Sequence, residues 1–377
     1  MEKYKIIETV GDGTYGTVFK GINTKTNEYV AIKKMKKKYT DWDECLSLKE
    51  VQALLTLKHS NIVTLNELIL QKNELNMIFE FIGQNLFEYA KNMNEIPEYK
   101  IRNISFQILQ GLAYMHKNNF FHRDMKPENI LISGDQVKLA DFGLARDINS
   151  EPPFTDYVAT RWYRSPEVIL NSKIYSSPID IFALGAIIAE LYTGVPLFPG
   201  KEASDQMNKI CEVLGTPSQS DWNEGYDLAN QIHFKFPQYR GKKLKNVIHR
   251  ASDLAINLLE MMLCFNPSKR PSAVKCLQHP FFQCNEILRY FGFNVKKEEN
   301  EEKKNNNNNF AMSMNSRSNN FLNLIEEGNN NNYSGNKQKK QNEFNYEEDV
   351  FFSQNNSNSK LQKSNNNLKR FEDFLGN

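Results

Sequence analysis

The residues in this sequence that could do chemistry lie in four short stretches. The first holds Gly11, Gly13 and Gly16 in a G-x-G-x-x-G pattern. Glycines at this spacing let a backbone approach phosphate oxygens closely, but several nucleotide-binding folds share the pattern. A dinucleotide fold would open a helix here, whereas a second β-like segment follows these glycines. The sequence therefore favours a glycine hairpin that covers phosphates.

Lys33 is the member of the basic run KKMKKK to which the pattern assigns a chemical role. The period of two in this strand places Val30 and Ile32 on one face and Ala31 and Lys33 on the other. One face would contact a core while the other meets a ligand. The other lysines of the run are expected to form a solvated face.

Two later stretches contain closely spaced carboxylate and amide side chains. One reads HRDMKPEN over residues 122–129, and the other reads DFG over residues 141–143. Oxygen atoms of such side chains are suitable ligands for a hard cation, and a carboxylate can also accept a proton.

These residues need elements that hold them together, and the hydropathy pattern predicts those elements. The first 35 residues read as three β-strands, and alternation resumes over residues 62–70 and 75–82. A helix is predicted over residues 43–57. Helical periodicity dominates from residue 101 onwards, and residues 179–192 are apolar nearly all round, as in a buried helix. The pattern predicts a small β-rich lobe and a larger helical lobe, with a ligand cleft between them.

Composition excludes several classes of protein. The chain has 377 residues, and 47 Lys and Arg against 45 Asp and Glu leave a net charge of +2, which argues against a general nucleic-acid binder. The five cysteines are scattered and form no C-x-x-C pair, so neither a disulfide framework nor a zinc site is indicated, and a reducing compartment fits. The N-terminus does not resemble a secretory signal. The longest uninterrupted apolar run, residues 181–189, is too short to span a bilayer.

The composition changes near residue 295. Asn accounts for 23 of the 77 residues after position 300, and this segment has too little apolar surface to offset chain entropy. We therefore expect an Asn-rich disordered tail over residues 295–377. Short apolar clusters in it, such as residues 321–325 and 371–375, are candidates for docking motifs that fold on a partner.

In this order, the four stretches resemble the signature of eukaryotic protein kinases. The resemblance covers residues 4–282 and includes SPE at residues 165–167, close to the family's A-P-E. The sequence departs from the common family pattern at Ser165, Phe182 and Met125. All three are packing positions, and none carries a charge that the reaction needs.

The resemblance implies an α+β fold, the bilobal protein-kinase fold, over residues 4–282. Residues 4–82 would form the small β-rich N-lobe with the αC helix and the hinge. Residues 83–282 would form the larger, mainly helical C-lobe, with the insert that is typical of the CMGC group of protein kinases. The disordered C-terminal tail would follow this domain.

The same resemblance implies a phosphotransferase that uses ATP and Mg²⁺, and it assigns roles to particular residues. The catalytic residues would be Asp124, Lys126, Lys33, Glu50 and Thr160. ATP would contact Val10, Gly11, Asp12, Gly13, Thr14, Tyr15, Gly16, Thr17, Val18, Ala31, Lys33, Val63, Phe79, Glu80, Ile82 and Leu131. Asn129 and Asp141 would bind Mg²⁺. Structural roles would belong to Asp180, which holds the catalytic loop, and to a buried ion pair of Glu167 and Arg270.

Residues 155–157 read TDY, and the resemblance makes Thr155 and Tyr157 activation phosphosites. A phosphate adds about −1.5 to −2 charges and needs basic partners if it is to order a loop. Those partners would be Arg123, Arg146, Arg161 and Arg164. Lys49 stands where the family often has a further Arg, and Lys lacks the bidentate fork of Arg. Thr14 and Tyr15 coincide with inhibitory phosphosites of cyclin-dependent kinases.

The TDY sequence, the WDEC stretch and SSPIDIFALGAIIAELY are most similar to the RCK subfamily of the CMGC group, which includes male germ cell-associated kinase and intestinal cell kinase. That similarity implies a proline-directed Ser/Thr kinase with a role in cilium or flagellum length and intraflagellar transport. The alternatives are a pseudokinase scaffold and a cyclin-dependent or mitogen-activated kinase of the same group. The αC stretch lacks a PSTAIRE-like surface, which counts against dependence on a cyclin.

The resemblance also implies partners and a location. Expected partners are protein substrates with Ser/Thr-Pro sites, an upstream kinase that acts on Thr155, and proteins that dock on the tail. No nucleic acid and no membrane span are expected, and the chain is expected to be a monomer. The expected location is the cytoplasm, with the cilium or flagellum, the basal body and the nucleus as further candidates.

Overall fold

The computed structural model describes residues 1–147 and 161–283, which all belong to one compact unit. Five antiparallel strands form its N-terminal sheet: β1 (Tyr4–Asp12), β2 (Gly16–Asn23), β3 (Tyr29–Lys38), β4 (Leu65–Gln71) and β5 (Glu74–Glu80). Their order in the sheet is β1-β2-β3-β5-β4. The glycine pattern forms the turn between β1 and β2, so the sheet positions it beside β3.

The two faces of β3 have the environments that the period of two predicts. Val30 and Ile32 are buried in a hydrophobic core with Ile78 of β5. Ala31 and Lys33 lie on the opposite face, where Lys33 is paired across the sheet with Val18 of β2. This second face therefore carries the lysine to which the sequence assigns a chemical role.

The predicted helix over residues 43–57 is two helices, α1 (Trp42–Leu46) and α2 (Lys49–Thr56). Leu48 between them is extended, with ψ of 128°. The Ser47 hydroxyl donates to the carbonyl of Glu44 at 2.7 Å, and such side-chain bonds compete with continuation of a helix. Asp41 caps α1 by accepting a hydrogen bond from the N–H of Glu44 at 2.8 Å. The break leaves α2 as a short separate helix that carries Glu50.

β4 begins three residues later than the alternation predicts, and the preceding residues pair elsewhere. Ile62 forms a parallel bridge with Leu139, the N–H of Val63 donates to the carbonyl of Leu139 at 2.9 Å, and the N–H of Leu139 donates to the carbonyl of Asn61 at 2.8 Å. The hydrogen-bonding groups of residues 61–63 are therefore satisfied outside the five-stranded sheet. This link, the 61–63 link, ties the end of the helix region in the N-lobe to the C-lobe.

Helices dominate the rest of the described chain. They are α3 (Leu86–Lys91), α4 (Glu98–Lys117), α5 (Pro166–Ile169), α6 (Pro178–Thr193), α7 (Ala203–Leu214), α8 (Asn223–Gln231), α9 (Leu244–Val247), α10 (Asp253–Met262) and α11 (Ala273–Leu277). Short strands lie between them: β6 (Gln84–Asn85), β7 (Phe120–Phe121), β8 (Ile130–Ser133), β9 (Gln136–Leu139) and β10 (Arg146–Asp147). The predicted α+β fold of a β-rich lobe and a larger helical lobe is confirmed.

The helix α6 forms the centre of the helical lobe. Nearly all of its side chains are buried, as its apolar sequence predicts, and they include the carboxylate of Asp180. A fully buried charge needs several hydrogen bonds, so α6 can hold a neighbouring loop through this residue. Within the described ranges, no helix is both long and apolar enough to cross a membrane.

Candidate active site

A buried ion pair connects β3 to α2 at the back of the cleft. Nζ of Lys33 lies 2.7 Å from Oε1 of Glu50 and 3.1 Å from Oδ1 of Asp141. The side chains of Lys33 and Glu50 are 12% and 7% exposed, whereas that of Asp141 is 45% exposed. Three segments that are far apart in the sequence thus meet at one ammonium group.

Burial, with the like charge of Asp141, raises the pKa of Glu50 despite the opposing charge of Lys33. Burial opposes the charge on Lys33, but the carboxylates of Glu50 and Asp141 outweigh it and raise the pKa of Lys33 above its usual value. Burial would also raise the pKa of Asp141, but the charge of Lys33 lowers it below its ordinary value. Lys33 is therefore a fixed cation at neutral pH, suited to contacting an anion.

A second cluster lies in the loop between β7 and β8. Oδ2 of Asp124 accepts hydrogen bonds from Nζ of Lys126 at 2.8 Å and from Nδ2 of Asn129 at 2.9 Å. The amide of Asn129 also donates to the backbone carbonyl of Asp124 at 2.8 Å. These bonds fix the orientation of the Asp124 carboxylate, and among the described residues its other oxygen, Oδ1, accepts no hydrogen bond.

Asp180 of α6 holds this loop from behind. Its Oδ2 accepts from the backbone N–H of His122 at 2.8 Å and lies 2.9 Å from Nε2 of His116, and its Oδ1 accepts from the N–H of Arg123 at 3.0 Å. Burial alone would raise the pKa of Asp180, but the hydrogen bond and charge of His116 contribute to lowering it. Arg123 has a φ of 73°, a left-handed conformation that costs a non-glycine residue about 1–2 kcal/mol. The contacts of Asp180 help to hold the backbone in that conformation.

The glycine hairpin approaches β3 so closely that a side chain would not fit at one of its positions. A Cβ on Gly16 would lie 2.7 Å from the backbone oxygen of Lys34, while a Cβ on Gly11 would meet no atom within 4 Å. The N–H of Gly13 donates to the carbonyl of Gly16 at 2.9 Å, which closes the turn. Across the part of the chain that the structure describes, the N–H groups of Thr14 and Tyr15 have no acceptor. Such open N–H groups can bind phosphate oxygens.

Other residues predicted to contact ATP lie on the strands of the N-lobe and on β8. Ala31 is paired across the sheet with Phe79 of β5, and Val63, Phe79 and Ile82 are buried. Leu131 of β8 is half-buried, and Val10 of β1 is 57% exposed. Asp12 and Thr17 are paired with each other in the register of β1 and β2.

The oxygen atoms of Asn129 and Asp141 are suitable ligands for Mg²⁺ bound to a nucleotide. The Oδ1 atom of Asn129 accepts no hydrogen bond among the described residues, because the amide nitrogen is the atom turned towards Asp124. The side chain of Asp141 is 45% exposed, and the N–H of the preceding residue, Ala140, donates to the carbonyl of Asn129 at 2.9 Å. No group of three or more His, Cys, Asp or Glu side chains in the described ranges could hold a metal ion alone. Mg²⁺ is commonly bound by one or two protein groups together with phosphates and water, and the residues present fit that mode.

The residues predicted to bind a phosphorylated loop are partly described. Nη2 of Arg123 donates to the hydroxyl of Tyr175 at 2.6 Å, and Nη1 donates to the carbonyl of Leu144 at 3.3 Å. Burial and the neighbouring charge of Arg123 lower the pKa of Arg146. Arg146 forms no ion pair with a carboxylate within residues 1–147 and 161–283. Two guanidinium groups whose charges affect each other can together bind an anion.

The other members of that predicted set are the exposed Lys49, the half-buried Arg161 and Arg164, and residues outside the described ranges. Lys49 is exposed, and none of its contacts joins it to Arg123 or Arg146 in the described structure. Arg161 and Arg164 are half-buried and linked through their backbones, with a 3.0 Å bond from the N–H of Arg164 to the carbonyl of Arg161. Three predicted residues lie outside the described residues: Thr155, Tyr157 and Thr160.

A buried bidentate ion pair connects Glu167 of α5 to Arg270, which lies three residues before α11 begins. Nη1 and Nη2 of Arg270 lie 2.6 and 2.7 Å from the two carboxylate oxygens of Glu167. The remaining Arg270 donors bind the carbonyls of Cys264, Phe265 and Pro178. The guanidinium also lies over the ring of Phe182, 5.0 Å from its centre. All five N–H groups of this arginine are therefore satisfied.

Sequence reasoning missed several residues that support the site. His116 contacts Asp180, Tyr175 contacts Arg123, and Lys138 lies 2.8 Å from Glu80 at the hinge. Each of these partners is more than fifty positions away in the sequence. No local pattern signals such contacts, although a lysine between Val137 and Leu139, if buried, needs a carboxylate nearby.

The β-rich lobe, the helical lobe and the two charged clusters in the cleft together define a protein kinase. The model of the protein kinase domain family matches residues 4–282, and the chain belongs to that family. The chain is 53% identical over 290 residues to serine/threonine-protein kinase MAK of Rattus norvegicus, and the match covers 76% of this chain and 47% of MAK. It is 53% identical over 285 residues to serine/threonine-protein kinase ICK of Mus musculus, covering 75% and 45% of the two chains.

The chain is also similar to a plant protein. It is 52% identical over 283 residues to cyclin-dependent kinase F-3 of Oryza sativa subsp. japonica, covering 75% of this chain and 65% of that protein. The chain thus matches a little under half the length of MAK and ICK. The similarity to MAK and ICK is consistent with the RCK subfamily of the CMGC group.

Proposed function

We propose that this protein transfers the γ-phosphoryl group of ATP to Ser or Thr hydroxyl groups of proteins. The observation that carries the proposal is the joint presence of two clusters: Lys33 with Glu50 and Asp141, and Asp124 with Lys126 and Asn129. Phosphoryl transfer needs positioned charges more than covalent chemistry from the protein. The names of the relatives MAK and ICK as serine/threonine-protein kinases support the same activity.

Each residue would act through its own charge. Lys33 would bind phosphate oxygens, and Glu50 would hold Lys33 in place. Asp141 and the Oδ1 atom of Asn129 would hold Mg²⁺, which when bound neutralises phosphate charge. Asp124 would orient the substrate hydroxyl and accept its proton, while Lys126 would offset the negative charge beside it.

Phosphorylation of a Ser/Thr-containing protein or peptide by the full chain tests this activity. Asp124→Asn and Asp141→Ala should each lower kcat at least about 100-fold, whereas Asp227→Asn, on the exposed face of α8, should leave it unchanged. If wild type binds ATP but its turnover equals that of Asp124→Asn, the pseudokinase alternative holds. Activity of the purified chain without an added subunit would argue against dependence on a cyclin.

We further propose that phosphorylation of Thr155 and Tyr157 by an upstream kinase activates the enzyme. The guanidinium group of Arg123, whose charge lowers the pKa of Arg146, supports a phosphate-binding role for this pair of arginines. Thr155→Ala with Tyr157→Phe should lower peptide kinase activity about tenfold or more, because the phosphate would have formed one to three charge-assisted bonds. Unchanged activity of the double variant would contradict the proposal.

The choice of substrate and the cellular role are proposals that rest on the similarity to the RCK subfamily. Arg161 and Arg164 would shape a pocket that favours Pro just after the phosphorylated residue. A peptide array would test this, because an equal rate with Ala at that position would refute it.

A role in cilium or flagellum length would require a tagged chain to reach the cilium or basal body. Removal of residues 296–377 should leave peptide kinase activity intact and alter only localisation or partner docking.

A further inference from the structure

The side chain of Lys36 reaches back from β3 over the glycine hairpin. Its Nζ donates to the backbone oxygen of Gly13 at 2.7 Å and lies 3.0 Å from Oδ1 of Asp12. The same oxygen of Asp12 accepts from the hydroxyl of Thr17 at 2.7 Å. One ammonium group therefore connects β3 to the turn of the hairpin and, through Asp12, to both of its strands.

The backbone adds a second link at the same place. The N–H of Lys36 donates to the carbonyl of Tyr15 at 3.0 Å. The carbonyls of Gly13 and Tyr15 are thus both bound to Lys36, while the N–H groups of Thr14 and Tyr15 find no acceptor in the described ranges. Because Lys36 binds the carbonyls of the turn, its backbone is held in place while the two N–H groups stay open to an anion.

The neighbouring lysines make different contacts. Lys34 and Lys38 pair with Glu74 of β5, and Lys37 pairs with Glu44 of α1. These pairs hold β3 to its surroundings, and none involves a residue of the hairpin turn. The contact of Lys36 with the turn is therefore not a general property of the basic run.

We propose that Lys36 is a positioning residue for the nucleotide: it holds the glycine hairpin so that the N–H groups of Thr14 and Tyr15 face the phosphates. It acts through the Gly13 carbonyl and Asp12 and touches no reacting atom. The inference deepens the proposed function and rests on it, since it concerns the phosphate half of the ATP site. It assigns a role to a lysine that the sequence pattern places in a solvated run.

The test compares Lys36→Gln with Lys38→Gln in the full chain. Both variants remove one positive charge from an exposed side chain of β3, so Lys38→Gln controls for the change in net charge. Without nucleotide, amide hydrogen exchange in residues 11–18 should be faster in Lys36→Gln than in wild type and unchanged in Lys38→Gln. By calorimetry, Lys36→Gln should bind the Mg²⁺ complex of the β,γ-imido analogue of ATP about two- to fivefold more weakly, the size expected of an exposed ion pair.

Adenosine provides the internal control, because it fills the adenine site and has no phosphates. Its affinity should be the same in wild type and in Lys36→Gln, which also shows that the variant is folded. Lys36→Arg should restore the affinity for the analogue. Equal exchange and equal analogue affinity in the two glutamine variants would overturn the proposal, as would an equal loss of adenosine affinity. A wild-type chain that binds the analogue but phosphorylates no peptide would instead overturn the proposed activity.

Discussion

Replacing Asp180 by Asn should uncouple the catalytic loop from the core of the helical lobe. The carboxylate accepts three hydrogen bonds, two at Oδ2 and one at Oδ1. An amide has only one acceptor oxygen, so its NH₂ group must face at least one donor, from Arg123 or from His122 and His116. Hydrogen bonds to a charged group contribute about 1.5–3 kcal/mol each.

The best amide orientation loses the bond to Arg123 and weakens the other two. We therefore expect the free energy of unfolding to fall by about 2–4 kcal/mol. The released loop also carries Asp124, and a displacement of about 1 Å at a reacting group can cost about 100-fold in rate. Peptide kinase activity should thus fall about 10- to 100-fold at a temperature at which the variant is still folded.

Urea unfolding and steady-state kinetics measure the two effects. Asp253→Asn is the control, since that carboxylate is 95% exposed and its loss should change stability by less than about 0.5 kcal/mol. The pKa of Asp180 is lowered in the folded protein, so its stabilisation is present above its unfolded pKa of about 3.9 and is lost as the pH falls below that value. The stability gap between wild type and Asp180→Asn should therefore narrow in acid. A folded Asp180→Asn variant with wild-type turnover would refute the reasoning.

Three further predictions concern other parts of the structure. Gly16→Ala should weaken binding of the ATP analogue and destabilise the chain by about 1–3 kcal/mol, because its Cβ would meet the Lys34 carbonyl, whereas Gly11→Ala should leave the stability unchanged; calorimetry would measure the binding and urea unfolding the contrast in stability. Arg270→Met should cost about 3–5 kcal/mol, because it leaves the buried Glu167 unpaired, and adding Glu167→Gln should recover part of that loss; a double variant no more stable than the single one would contradict the charge argument. Burial, with the charge of Lys138, lowers the pKa of His59 to about 4, so stability should fall by at most about 3 kcal/mol as the pH drops from 6.5 to 4. His59→Phe keeps a ring against Tyr114 and should show a flatter dependence in urea unfolding across that pH window.

The sequence is informative where the signal is local. The alternation in β3 predicted which face carries Lys33, and the glycine spacing predicted the hairpin. Both signals depend only on residues that are close together in the sequence. The order of the motifs then indicated the family. The fold class followed from the change from alternating to helical periodicity, which the sheet and helices reproduce.

What the sequence did not predict depends on contacts between distant segments. Nothing in the periodicity of residues 43–57 marks the break at Ser47 and Leu48, since no Gly or Pro occurs there and the apolar pattern continues across it. Residues 62 and 63 alternate like a strand, yet they pair with Leu139 because that backbone offers them a partner. Tyr175 lies 52 positions from Arg123, and no residue near it in the sequence signals that contact.

The 61–63 link gives α2 one fixed end. The carboxyl end of this helix leads within a few residues to backbone bonds with Leu139 in the C-lobe, while its amino end, next to Glu50, is separated from α1 by an extended residue. At a rise of about 1.5 Å per residue, Glu50 lies about 10 Å along the helix axis from that end. A tilt of about 10° about the fixed end would move Glu50 by about 2 Å, enough to separate it from Lys33. A small rotation of one eight-residue helix would thus suffice to take apart the ion pair at the back of the cleft.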